Sequence, residues 1–164
     1  MTGDPVPFVV LKTLFNELRG AFSPDGRWVA YQSSKSGRDE VYVRAFVAPV
    51  DSDSGAATTM GGVWQVSTAG GIYPVWSPDG QELFYLDTGG NMVAAPIAVT
   101  GDAFEVGNPV ALFPTRSVGG GTDIGKGVPY DVAADGRFLI NTVLGESSTA
   151  PITLIQNWNP ETVQ

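Results

Sequence analysis

Three aspartates recur at one place in a repeated phrase of this chain: Asp25, Asp79 and Asp135, each followed by glycine. Carboxylates repeated in register are what a shared metal site or an acid–base pair would need. The same residue type at a turn also accepts a hydrogen bond from its own backbone two residues on, with no ligand involved. For all three, the turn is the reading adopted. Asp51 and Asp53, followed by Gly55, begin like a calcium loop. The third oxygen ligand and the distal bidentate Glu of such a loop are missing, so a solvated loop is expected. Asp39 and Glu40, beside Arg38, are expected to form a solvated charge cluster at a hairpin tip rather than a carboxylate couple.

Nucleophilic and phosphate chemistry have even less to work with. The chain has no His and no Cys, which excludes Ser-His-Asp and Cys-His machinery and the commonest zinc sites. Gly120 to Lys126 matches the spacing of a phosphate-binding P-loop, but Gly127 stands where the Mg²⁺-binding hydroxyl belongs. Tyr130-Asp131-Val132 then reads as strand, whereas that motif needs strand, loop and helix in turn. A flexible Gly-rich loop is expected instead. Ser33-Ser34-Lys35 reads as a polar hairpin exit, not a Ser–Lys pair. No catalytic residue, cofactor or metal ligand is assigned, and the chain is read as a non-enzyme.

Nine basic against 17 acidic residues leave a formal net charge of −8. Nucleic-acid binding needs a basic footprint, so no such partner is expected. Arg19, Arg27, Lys35, Arg38 and Arg44 gather in the first repeat and are read as ordinary solvated residues. No apolar run approaches the length that spans a bilayer, and no membrane insertion is expected. Met1 to Pro5 shows no basic leader region of a signal peptide, and the compartment is left open.

The elements that position these residues come from the repeated phrase itself. Phe22-Ser-Pro-Asp-Gly26 returns as Trp76-Ser-Pro-Asp-Gly80, 54 positions on, and in worn form as Val132-Ala-Ala-Asp-Gly136, a further 56 on. Internal repetition at a period near 50 with strand-like contents points to propeller blades. Each phrase sits between short runs of β-branched and aromatic residues, and Asp-Gly between such runs is a strong hairpin signal. Glu40–Phe46, Met92–Val99 and Pro151–Trp158 read as third strands, the proline at 96 suiting an edge or a bulge. Trp64–Thr68 and Pro109–Phe113 read as fourth strands. With 21 Gly and 12 Pro, helices have little room, and a short helix over Leu11–Arg19 is the minor alternative.

Phe22 to Tyr31, Ser36 to Val43, Trp64 to Thr68 and Trp76 to Tyr85 together resemble the TolB-like, WD40-like PD40 propeller repeats. The likeness is closest to the C-terminal propeller regions of certain bacterial serine/threonine protein kinases, and it runs from about Phe15 to Trp158. It implies a non-catalytic module that binds protein or small ligands, often outside the cytoplasmic membrane. The chain carries no His-Arg-Asp or Asp-Phe-Gly kinase motif. The stretch from Val47 to Gly62 departs from the pattern as a lengthened loop.

An all-β fold of three four-stranded antiparallel blades follows: residues 16–68, 69–115 and 116–160. The last lacks its own outermost strand, and residues 9–15 look like that strand displaced to the front as a latch. Three blades close poorly around an axis. The alternatives are a head-to-tail homodimer forming a six-bladed ring, a fragment of a longer propeller, or strained self-closure. The dimer is the expectation adopted. Aligning the phrases puts Arg19, Tyr73 and Pro129 at one position, then Gly20, Pro74 and Tyr130, then Ala21, Val75 and Asp131. Arg19, Tyr73, Tyr130 and Asp131 are thus the candidate binding residues at the channel mouth. The alternative for the tyrosines is plain packing with satisfied hydroxyls. A second functional reading is a carboxylate- or metal-dependent, lactonase-like hydrolase with an axial site shared across a dimer, drawing on Asp131, Glu17 and Asn16.

Overall fold

Among the described residues every element is a strand, and every strand pairing is antiparallel. A computed structural model describes residues 9–47, 62–101, 103–116 and 127–142. The first sheet runs in chain order: β1 (Glu17–Phe22), β2 (Trp28–Ser33), β3 (Glu40–Ala45) and β4 (Val63–Gln65). The second holds β5 (Ile72–Trp76), β6 (Glu82–Leu86), β7 (Asn91–Thr100), β8 (Ala103–Val106) and β9 (Val110–Pro114). The third is a pair, β10 (Tyr130–Val132) with β11 (Phe138–Ile140). The expected third-repeat strand at Pro151–Trp158, the P-loop-like stretch and the Asp51–Gly55 loop lie outside the described residues. Leu11–Arg19 forms no helix. Residues 11–16 are irregular, and β1 begins at Glu17.

The hairpin phrases close as their residue types demand. The Ser23 hydroxyl donates to Asp25 Oδ1 at 2.5 Å and accepts from Trp28 N at 3.0 Å, while Asp25 Oδ1 also accepts from Arg27 N. The second copy repeats this with Ser77, Asp79, Gln81 and Glu82 at 2.6, 3.0 and 2.9 Å. In the third copy Ala133 has no hydroxyl, and Asp135 turns instead on Arg137 N and Nε. The three aspartates therefore work as turn residues.

Loss of that serine changes the register. Phe22 pairs with Val29 and Trp76 with Leu83, but Val132 pairs with Phe138, one residue sooner. A side-chain hydroxyl in the first two turns takes the place of a backbone partner and lengthens the loop by one. A one-residue slip turns a strand over. The tighter third turn thus gives Phe138 the place that Val29 and Leu83 hold, where simple alignment would have equated it with Trp28.

The sheets stack in series on two cores. The first buries Trp28, Ala30, Val41 and Val43 of the first sheet against Trp76, Leu83, Tyr85, Val93, Ala95 and Ile97 of the second. The second core joins Ile72, Phe84, Leu86, Met92 and Ala94 to Tyr130, Val132, Phe138 and Ile140. Strand alternation explains the split: Leu83 and Tyr85 face one way, Phe84 and Leu86 the other.

The second sheet corrects the expectation of four strands. β7 is ten residues long and exchanges its outer partner along its length, pairing β9 over Asn91–Ala94 and β8 over Ile97–Thr100. Pro96 sits at the exchange, inside a central strand rather than at an edge. Ile97 N donates to Gln81 O on one side, so the preceding residue's nitrogen faces the other, where the partner changes and no donor is required. The added strand places Phe104 among Trp28, Trp64 and Trp76, at ring separations of 4.6, 5.1 and 6.4 Å. Arg27 ties the same hairpin to the first sheet by donating to Gly101 O at 2.6 Å.

Candidate binding site

The first strands of the first two sheets, β1 and β5, each carry a bulge at the same place in the repeat, between Leu18 and Ala21 and between Ile72 and Val75. Arg19 and Tyr73 occupy it with φ of 56° and 57°. Two non-glycine residues in the left-handed region at equivalent positions mark a bulge built into the repeat. β10 has Pro129 at that position, whose ring forbids positive φ, and its register is regular.

The bulges bring three of the four candidate residues together. The Arg19 guanidinium lies over the Tyr73 ring, 5.1 Å from its centre. Tyr130 reaches back from the third sheet and donates its hydroxyl to the Tyr73 carbonyl at 2.7 Å. Burial, then the charge of Asp131, holds the Tyr130 hydroxyl well above its usual range, so it remains a donor. Tyr73 and Tyr130 are both buried. Asp131 does not join them: alternation along β10 turns it to the opposite, exposed face, with Leu139 beside it. The line Arg19–Tyr73–Tyr130 is thus a strap across three sheets, with only Arg19 partly open to solvent.

Beside Arg19 lies a cleft of about 340 Å³ on the face of the first sheet turned away from the second. Val9, Val10, Leu11, Phe22, Val29 and Tyr31 give it an apolar lining, and Glu17, Arg19 and Arg44 are its charged groups. Glu17 Oε1 accepts from Thr13 at 2.7 Å and from Ser33 at 3.1 Å. Its Oε2 and the Nε of Arg44 are buried and make no hydrogen bond. Burial and then the Glu17 charge push the Tyr31 hydroxyl up to about 12, with Arg44 pulling the other way. Burial lowers Lys35, whose ammonium rests 3.7 Å over the Tyr42 ring on the same side of the sheet.

Of the five basic residues of the first repeat, Arg27, Lys35 and Arg38 are solvated as expected, while Arg19 and Arg44 are half-buried. Arg19 and Lys35 lie over rings, Arg27 and Arg38 hold backbone carbonyls, and Arg44 lines the cleft. One expectation needs correction: Glu40 is not a solvated tip residue, since it is 0% exposed. It accepts from Arg38 Nε at 2.6 Å, from the Ser67 hydroxyl, and from Gly70 N at 3.0 and 3.1 Å. The linker between the first two sheets folds over it, which the local sequence Arg-Asp-Glu could not reveal.

Arg44 and Tyr31 were missed as cleft residues. The usable signal was alternation, since Val29, Tyr31, Tyr42 and Arg44 share one face by strand period alone. Among the described residues, no group of three or more Asp or Glu side chains is placed to hold a metal ion. No protein-family model matches the chain, and no curated protein matches it.

Proposed function

We propose that this chain is a non-catalytic β-propeller module for interaction or sensing, of the PD40 type its motifs resemble. In this reading two copies close head to tail into a six-bladed ring. One observation carries it. The outer face of the first sheet copies, position by position, the face by which the second sheet packs on the first. Phe22, Val29, Tyr31, Tyr42 and Phe46 stand where Trp76, Leu83, Tyr85, Val93 and Ile97 are buried in the first core. A face built to receive a preceding sheet calls for one, and repeat units bury such faces only against neighbours. Phe22 is 55% exposed, and the segment Val9–Leu11 lines the cleft where that sheet would lie. In the ring this segment leaves to complete the partner's last blade. The channel mouth would then offer Arg19, backed by Tyr73 and Tyr130, to a small ligand or a protein loop.

Size-exclusion chromatography with light scattering tests this. A single species at twice the chain mass of 17.2 kDa is expected. A stable species at 17.2 kDa across the concentration range would overturn the ring.

A further inference from the structure

Among the described residues, the two outer faces of the three-sheet stack differ from the internal ones by charge, and in opposite senses. Strand register sets the equivalences. Ala21 pairs with Ala30, Val75 with Phe84, and Asp131 with Leu139, so these three pairs hold one place in successive repeats. At the internal interfaces that place is apolar; on the outer face of the third sheet it carries Asp131. On the opposite face Arg44 pairs with Val29, and Ala95 pairs with Leu83. Ala95 is fully buried in the first core, while Arg44 holds the same place on the outer face of the first sheet. The internal interfaces thus present alanine and valine where the outer faces present an acid and a base.

The internal interfaces also show what would meet what. Trp76 donates its indole N–H to Ala21 O at 3.1 Å, and Phe84 meets Phe138 with ring centres 4.9 Å apart. Carried forward one repeat, Asp131 lies beside Phe22 of the next sheet, and Leu139 lies on Val29. Leu139 is 75% exposed, and Phe22 and Val29 line the cleft. Arg44 neighbours Val29 on the side away from Phe22, so its backbone stands two strand spacings, ~10 Å, from Phe22, a gap that the arginine side chain and the Asp131 carboxylate must span together.

We infer that Arg44 of one copy and Asp131 of a second form the ion pair that seals the ring between chains, with Leu139 seated in the cleft. This rests on the head-to-tail reading above. Arg44 shares this face with Glu17 and Arg19, and its Nε is buried without a hydrogen bond, so a neighbour that brings an acceptor is favoured over one that brings none. Asp131 is such an acceptor. The pair therefore favours closure between the outer faces over docking of an outer face on an uncharged one.

Charge reversal separates this from the ring itself. Arg44→Asp places two acids at each interface of its own homodimer, and Asp131→Arg places two bases. Each variant should weaken self-association by about tenfold or more and run at 17.2 kDa where the wild type runs at twice that mass. Mixed in equal amounts, the two variants pair Asp131 with Arg44 at one interface and the introduced Arg with the introduced Asp at the other. The mixture should return to the dimer mass, an outcome that misfolding of either variant cannot imitate. Asp131→Asn, a neutral change at an exposed site, should weaken the dimer less. A wild-type dimer that neither reversal disturbs, or a mixture that stays monomeric, overturns the ion pair and leaves the ring standing. A monomeric wild type overturns both.

Discussion

Removing the Glu40 carboxylate should destabilise this protein more than removing the arginine that pairs with it. Glu40 is fully buried, and its two oxygens accept from one arginine, one hydroxyl and one main-chain amide. The arginine side chain is 57% exposed, so solvent screens its share of the interaction and receives it when the pair is broken. Ser67 and Gly70 have no such recourse, because both lie inside the linker that Glu40 anchors. The Ser67 hydroxyl is already an acceptor for Val41 N at 2.8 Å, which restricts where its proton can turn. A hydrogen bond to a charged group contributes about 1.5–3 kcal/mol, and a stranded buried donor costs about 1–3 kcal/mol. Glu40→Ala strands two donors and opens a cavity, for an expected loss of about 4 kcal/mol. Glu40→Gln keeps the volume and can turn its amide nitrogen toward the solvent-exposed arginine, so about 2 kcal/mol is expected. Arg38→Ala should cost about 1 kcal/mol. Urea unfolding followed by tryptophan fluorescence reads the series, since Trp28 and Trp76 are buried in the core that the linker closes. If Arg38→Ala costs as much as Glu40→Ala, the surface ion pair is the anchor and burial of the carboxylate under the linker is not.

Two further outcomes follow from the turns and the strap. Asp25 is held below its usual pKa of 3.8 by the Ser23 hydroxyl first, and Asp79 likewise by Ser77; in Asp135 the Arg137 amide leads. A depressed folded-state pKa adds stability that is full above the unfolded value and fades as pH falls through the folded one. Denaturant midpoints should therefore drop as pH is lowered below about 4, and the Asp25→Asn, Asp79→Asn, Asp135→Asn triple variant should show a flatter acid limb. A triple variant with an unchanged acid limb would remove the turn aspartates as the cause. Tyr130→Phe deletes the buried bond to the Tyr73 carbonyl and should cost about 1–2 kcal/mol in the same unfolding assay. A change within error would mean that the hydroxyl ties nothing between the second and third sheets.

Much of this fold was legible in the chain because the Ser-Pro-Asp-Gly phrase is a self-contained device. The serine hydroxyl, the aspartate and the glycine satisfy one another within a few residues, so the hairpin closes without help from distant parts. Period-two alternation similarly marks which side chains of Trp28–Ser33 and Glu82–Leu86 share a face. The candidate site was half-legible. Aligning the phrases put Arg19 and Tyr73 at one position, and they do meet. The same alignment grouped Asp131 with them, and alternation along β10 turns it to the opposite face from Tyr130.

What only the tertiary structure decided are the matters in which local chemistry leaves several solutions open. Ala133 shortens the third turn by a residue, and it is the packing of Phe138 on Phe84 that makes the shorter register the useful one. Pro96 reads as a strand breaker until two different strands are seen to share the outer side of β7. Glu40 reads as a surface charge until the linker from Val66 to Gly71 folds over it and offers its donors. The sequence alone determined the hairpins and their faces, because turn bonding and strand period act over a few residues. Neighbouring sheets determined the burial of charge, the exchange of partners and the working register, because those depend on atoms supplied from 25 to 55 positions away.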